Sequence, residues 1–191
     1  MNVNWQKAEK ILKNDGVVVL PTDTLYGVVA SIFSKKAVRK IYKIKGRSNN
    51  KPLIVLISSY SDLNKLGIKI NRKQLSLLKK NWPGKVSVEL IHSDKNFSYI
   101  RGGHNYSGFR MVGEKNKNLL NLIKSIGPII APSANKQGEK PAETIKEAKE
   151  YFGNNVDLYI DGGKKIGEPS TLIRIKNCEV EVLRQGVIKI K

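Results

Sequence analysis

At 191 residues with 40% hydrophobic side chains, the chain carries enough apolar material for a buried core and does not read as a disordered tail. Thirty-five Lys and Arg against sixteen Asp and Glu leave a net charge of +19, which fits either a solvated lysine-rich surface or an anionic partner. Nucleotide or nucleic acid fits better than an acidic membrane surface, because no stretch reads as a basic amphipathic helix with a bulky aromatic face. The lone cysteine, Cys178, excludes an internal disulfide and zinc sites built on cysteine pairs; no apolar run could span a bilayer, and a cytoplasmic protein is expected.

In chain order, Trp5, Ala8, Ile11 and Leu12 mark one face of a helix over 4–14, closed by Asn14-Asp15-Gly16. Val17 to Leu20 reads as a strand buried on both faces, followed by a loop from Pro21 to Gly27. Ser34 can cap a helix over 35–45, with Val38, Ile41 and Tyr42 facing inward. Leu53 to Ile57 is a second apolar strand, and Asn71 opens a helix that stops at Trp82-Pro83-Gly84. Val86, Val88 and Leu90 alternate with polar residues, as in a half-exposed strand. A helix over 116–126, a strand over 128–131 and a charged helix near 142–151 come next. Strands over 156–160, 171–175, 179–184 and 186–190 close the chain, and Cys178 lies in this alternating stretch as an inert buried thiol. Strands and helices alternate early and strands cluster late, so one α/β domain over 1–191 is expected, built on a twisted mixed sheet flanked by helices.

The residues with chemical promise gather where strands and helices end. Pro21-Thr22-Asp23-Thr24-Leu25-Tyr26-Gly27 follows an apolar strand, the place where α/β folds collect ligands. Lys45-Gly46-Arg47 sits at a helix end, where a glycine lets the backbone turn and two cations of different geometry face one region. From Lys35 to Lys51 there is no acidic residue. Ser133 and Asn135, in Ala131-Pro132-Ser133-Ala134-Asn135, can both reach one ligand if the backbone is extended. Arg110, Ser170 and Arg184 occur singly, and an arginine among apolar residues needs an anionic partner if buried. The glycines of 162–167 have Walker-like spacing, but Glu168-Pro169 follows where Lys-Ser/Thr is required, so this is not a phosphate loop. The Arg101-Gly102-Gly103 triplet among aromatics is weak as a nucleic-acid patch.

Together and in order, these segments resemble the YrdC/TsaC family. Residues 21–27 look like its Pro-Thr-Glu-Thr-x-Tyr-Gly segment, and Lys45-Gly46-Arg47 with Lys51-Pro52-Leu53-Ile54-Val55 resembles its Lys-x-Arg motif and the following Asn-Pro-Leu-Ile-Val. Trp82-Pro83-Gly84, Phe109-Arg110, Ala131 to Asn135, Asp161-Gly162-Gly163, Ser170-Thr171 and Leu183-Arg184-x-Gly186 fall in family order. Leu56 departs from the pattern, standing where a histidine often follows, and Ser48 replaces the usual proline.

The resemblance implies a large, open, positively charged cavity. It implies synthesis of L-threonylcarbamoyl-AMP and pyrophosphate from L-threonine, bicarbonate (or CO2) and ATP, with Mg2+ accompanying ATP and no protein-ligated metal. The product would serve the threonylcarbamoyl modification of tRNA through separate transfer proteins. By the same resemblance Lys45, Arg47, Ser133 and Asn135 serve the phosphates and the reacting centre; Lys51 and Arg184 join them on ATP; and Thr22, Thr24, Arg110 and Ser170 hold threonine. Two other readings stay open: an RNA-binding module for tRNA or double-stranded RNA without turnover, and carbamoyl-adenylate chemistry like that of the related domain in hydrogenase-maturation proteins.

Overall fold

A computed structural model of the chain describes residues 3–176 and 179–190, so Cys178 lies outside the described residues. The first helix, α1 (Val3–Lys13), buries Trp5, Ala8 and Leu12, one stripe at helical spacing. β1 (Val18–Pro21) and β2 (Tyr26–Ser31) pair antiparallel. α2 (Lys35–Lys45) begins where Ser34 Oγ accepts the Ala37 N–H and ends at Gly46, whose φ of 58° is the left-handed region that glycine enters without strain. β3 (Ile54–Ile57), α3 (Tyr60–Lys65) and α4 (Arg72–Asn81) follow, with an Asn71–Gln74 capping box opening α4. The remaining elements are β4 (Val86–Ile91), β5 (Tyr106–Met111), α5 (Lys117–Ile126), β6 (Ile129–Ile130), α6 (Ile145–Phe152), β7 (Leu158–Tyr159), β8 (Thr171–Lys176) and β9 (Glu179–Arg184).

Among the described residues these nine strands make one mixed sheet in the order β7-β1-β2-β6-β3-β5-β4-β8-β9. The β1–β7, β3–β5 and β4–β8 pairs are parallel and the other five antiparallel. Successive strand residues point to opposite faces, and each face has its own core. Val19, Val28, Val55, Val88, Phe109 and Ile173 pack with Val38 and Ile41 of α2 and Phe152 of α6. Val18, Leu20, Val29, Leu56 and Ile129 pack on the other face against Trp5 and Leu12 of α1 and Leu119, Leu122 and Ile123 of α5.

This second helical layer stops at β3. On the same face β4, β5 and β8 present Ser87, Glu89, Arg110, Leu172 and Arg174, because their neighbours Val86, Val88, Phe109 and Ile173 are committed to the first core. The sheet therefore changes from a doubly covered half to a half with one polar face, and the candidate site lies at that step.

Three expectations from the sequence are corrected. The segment expected as a loop through Gly27 turns only at 22–25, closed by the Thr22 N–H on Leu25 O at 3.0 Å, and Tyr26–Ser31 is a fully buried strand. The expected strand over 186–190 does not form. Its backbone wraps the Thr171 hydroxyl instead, which accepts from Gly186 N at 3.1 Å and Ile188 N at 3.2 Å and donates to Ile188 O at 2.5 Å. The alternating strand near 86–90 is not half-exposed: Ser87 is completely buried, its hydroxyl 2.8 Å from that of Ser170.

His92, just after β4, is fully buried between the Phe97 and Phe109 rings, with Nδ1 3.2 Å from Ser107 Oγ and Nε2 without a partner among the described residues. Burial, reinforced by the Arg101 charge and opposed by Asp94, pulls the imidazole down to about 4. As pH falls from the ordinary 6.5 towards 4, the unfolded chain gains a proton that the folded chain refuses, so stability present above that window is lost across it. A His92→Leu variant should lack this loss: from pH 7 to pH 4 wild type should lose up to ~3 kcal/mol relative to the variant in urea unfolding. Parallel curves would show that His92 is not held neutral.

Candidate active site

Loops from distant parts of the sequence meet at the edge of the helical layer. Thr22 and Thr24 come from the β1–β2 turn, Arg47 from the end of α2, Pro52 to Ile54 from the entry to β3, and Arg110 from β5. Ala131 to Ser133 come from the exit of β6, Pro169 and Ser170 from the entry to β8, and Arg184 from the end of β9. These residues line one pocket with three guanidinium groups. The Arg184 guanidinium is held below the usual arginine range by burial first and then by the charges of Arg110 and Arg47. Three like charges so arranged repel one another until an anion arrives, which marks a site for phosphate or carboxylate.

One carboxylate tempers them. Asp23 Oδ1 accepts from Arg110 Nη2 at 2.8 Å, and both side chains are about 5% exposed or less. Among the described residues the Arg110 Nε, like the Arg47 Nε, is buried without a partner. Arg47 Nη2 donates to Pro52 O at 2.9 Å, fixing it across the entry to β3. Arg184 donates through Nη2 to Ser170 O at 2.8 Å and to Ser170 Oγ at 3.3 Å, so Arg184, Ser170 and Ser87 form one chain of polar contacts.

The hydroxyls divide by role. Thr22 Oγ1 donates to Leu25 O at 2.6 Å and accepts the Thr24 and Leu25 N–H groups, so this side chain builds the turn and has little capacity left for a ligand. Thr24 Oγ1 lies 3.5 Å from Arg110 Nη2, beside the arginine and free of backbone duties.

Lys45, Lys51 and Asn135 are absent from the pocket lining. Lys45, 2% exposed, turns behind the pocket and donates to Ser133 O at 2.5 Å, Asn135 O at 2.6 Å and Asn135 Oδ1 at 3.2 Å. Burial, with Arg47 adding repulsion, brings its ammonium down to about 7. Ser133 Oγ donates to Asn135 Oδ1 at 2.6 Å, while Asn135 Nδ2 holds Glu139 O at 2.7 Å. From the other side Ala134 N donates to Tyr26 O at 2.8 Å and Val28 N to Pro132 O at 3.0 Å. Gly27 permits that approach, since a Cβ there would lie 2.9 Å from Thr22 Cγ2 and 3.6 Å from Pro132 O. Lys51 is exposed, and its carbonyl accepts the Tyr42 hydroxyl at 3.0 Å. Sequence reasoning missed Asp23 as a member of the site; an acid beside two threonines looks like ordinary turn chemistry.

The Sua5/YciO/YrdC family model, described as telomere recombination, matches residues 10–186. The chain belongs to the Sua5/YciO/YrdC family. It is 33% identical to the threonylcarbamoyl-AMP synthase of Pyrococcus abyssi over 181 residues, 94% of this chain and 53% of that protein. It is 32% identical to the putative threonylcarbamoyl-AMP synthase of Methanocaldococcus jannaschii over 197 residues, 99% of this chain and 92% of that protein. The crystal structure of P. abyssi Sua5 complexed with L-threonine matches with a TM-score of 0.87 at 32% identity, over 95% of this chain and 54% of that one. The chain thus spans about half the length of the P. abyssi relative and nearly all of the M. jannaschii one.

Within this Sua5/YciO/YrdC chain, Leu56 is fully buried in the core under α1 and α5 and does not reach the pocket. The departure at that position therefore leaves the pocket wall untouched. Lys45 has the larger structural consequence. Lys45→Met should leave two loop carbonyls without their donor, at ~1–3 kcal/mol. Hydrogen exchange over residues 133–139 should accelerate by roughly tenfold or more while exchange in β1 stays unchanged. Equal protection in both segments would show that the ammonium does not hold the loop.

Proposed function

We propose that the chain is a nucleotidyltransferase that makes L-threonylcarbamoyl-AMP from L-threonine, bicarbonate (or CO2) and ATP, releasing pyrophosphate. The observation that carries this reading is the convergence of Arg47, Arg110 and Arg184 on one pocket at the ends of strands and helices, with Asp23 paired to only one of them. The reaction must bring a nucleotide and a carboxylated amino acid into contact, two anions that repel in water. Fixed guanidinium groups lower that barrier, and positioning supplies much of the rest.

In this reading Arg47 and Arg184 face the phosphates. Arg110, Thr24 and Ser170 orient the threonine carboxylate and hydroxyl. The threonine amine takes up CO2 to form a carbamate, a carbamate oxygen attacks the α-phosphorus, and the bond to the β-phosphate oxygen breaks to release pyrophosphate. Lys45 acts one step back, by fixing the loop that carries Ser133. Among the described residues no group of three or more His, Cys, Asp or Glu lies close enough to hold a metal ion, and Asp23 is already committed to Arg110. A Mg2+ ion arriving with ATP would supply neutralisation of the charge on the leaving pyrophosphate.

Transfer of the product to tRNA would fall to separate proteins. An RNA-binding role without turnover draws less support, because Arg101 is 9% exposed and turned inward, donating to His104 O and Asp94 O.

Pyrophosphate release from ATP should require both L-threonine and bicarbonate, and mass spectrometry should detect the mixed carbamoyl adenylate. Release independent of threonine would sink this reading. Arg184→Ala should lower kcat/KM for ATP by roughly 10²-fold. Its melting temperature should stay near wild type, since its contacts are with Ser170 at the pocket wall.

A further inference from the structure

Asp23 has no part in the chemistry outlined above, yet it is the one carboxylate within ion-pairing distance of the pocket arginines among the described residues. It stands behind Arg110 and not in the pocket wall; Thr22 and Thr24 line the pocket on either side of it in sequence. Its placement is fixed by the Thr22 turn, whose hydroxyl ties together residues 22 to 25. A buried carboxylate so held has two effects on its arginine. It holds one end of the guanidinium through Nη2, and it offsets part of the local positive potential there.

Among the described residues Arg47 and Arg184 have no such partner. The pocket is therefore asymmetric: two guanidiniums face no carboxylate among the described residues and the third is paired with one. A polyphosphate carrying several charges gains most from the uncompensated pair. A monoanionic carboxylate gains from the oriented hydrogen bonds that Arg110 still offers, and loses less from the reduced charge.

We propose that Asp23 is a positioning and specificity-determining residue: by pairing with Arg110 it divides one arginine pocket into a polyphosphate subsite at Arg47 and Arg184 and a carboxylate subsite at Arg110. Without its charge the pocket would be uniformly cationic, and polyphosphate would spread into the amino-acid position. This inference rests on the reading of Arg110 as the threonine-holding arginine.

The experiment is calorimetric titration of the intact chain with inorganic pyrophosphate and with L-threonine, separately and each in the presence of saturating amounts of the other. Wild type should bind both without competition. Asp23→Asn keeps the shape and an oxygen acceptor for Arg110 but removes the charge. It should bind pyrophosphate roughly tenfold tighter, and threonine should now compete with it. Asp23→Glu keeps the charge and should restore non-competitive binding of both. A structural lesion would weaken both ligands together and would not convert independence into competition.

Pyrophosphate affinity unchanged or weaker in Asp23→Asn, with threonine still non-competitive, overturns the proposal. If Asp23→Asn does not fold, Asp23→Asn/Arg110→Gln removes the pair with no charge left over. It should keep wild-type pyrophosphate affinity and lose threonine, and loss of pyrophosphate binding there overturns the proposal as well. Wild type that binds pyrophosphate but no threonine defeats the assignment of the amino-acid substrate instead, and the pyrophosphate arm still reports on Asp23.

Discussion

The site depends on a buried ammonium that, among the described residues, has no carboxylate beside it. Lys45 closes α2 and spends its three N–H bonds on oxygens of Ser133 and Asn135, almost ninety residues further on. A cation removed from water needs compensation, and here two peptide carbonyls and an amide oxygen supply it. The contact joins the end of a helix on one face of the sheet to the loop leaving β6. That junction sets where Arg47 emerges, two residues after Lys45, and where the Ser133 hydroxyl lies. An acid in place of those carbonyls would have satisfied Lys45 equally well, but it would have placed a negative charge behind an anion pocket.

The sheet supplies the space for the pocket. α1 and α5 cover β1, β2, β6 and β3 on one face and no further. Beyond that line β5 can carry Arg110 and β8 can begin beside Ser170 without facing an apolar layer. The parallel β3–β5 pairing places Leu56 level with Arg110, the first inside the helical core and the second at its rim. One residue of register slip in β5 would exchange Arg110 with Phe109 and bury a guanidinium in the opposite core. The register is fixed by the apolar alternation of Phe109 and Met111 against Val88 and Ile57, so the packing on the far face determines where the arginine points.

Local signals made much of this legible in the amino-acid order. α2 was readable from end to end, because its cap, its apolar stripe and its terminal glycine all lie within a dozen residues. Tyr26–Ser31 was not, because it begins inside a turn-like run and its burial on both faces leaves no alternation to detect. Residues 186–190 alternate like a strand, yet a hydroxyl fifteen residues earlier takes their amides, and no local pattern reports such a contact. The same division holds at the site. Arg110 and Arg184 stood out as arginines among apolar neighbours. The Asp23–Arg110 pair spans 87 positions, and the inward turn of Lys45 depends on a loop that is adjacent only in the fold.

The net charge of +19 does less at this pocket than its size suggests. Most of the lysines are exposed, as Lys36, Lys43, Lys51 and Lys124 are, and each acts through a screening length of about 8–10 Å at ordinary ionic strength. Such charges raise the local concentration of anions of any kind and cannot distinguish an amino acid from a nucleotide. Discrimination needs charges that are held in place and unequal. Arg47 on Pro52 O, Arg110 on Asp23 and Arg184 on Ser170 meet those conditions, with Arg110 buried and Arg184 at the exposed rim. Chemistry that joins two anions would thus depend on a few guanidiniums and one carboxylate, while the many surface lysines act only on the approach.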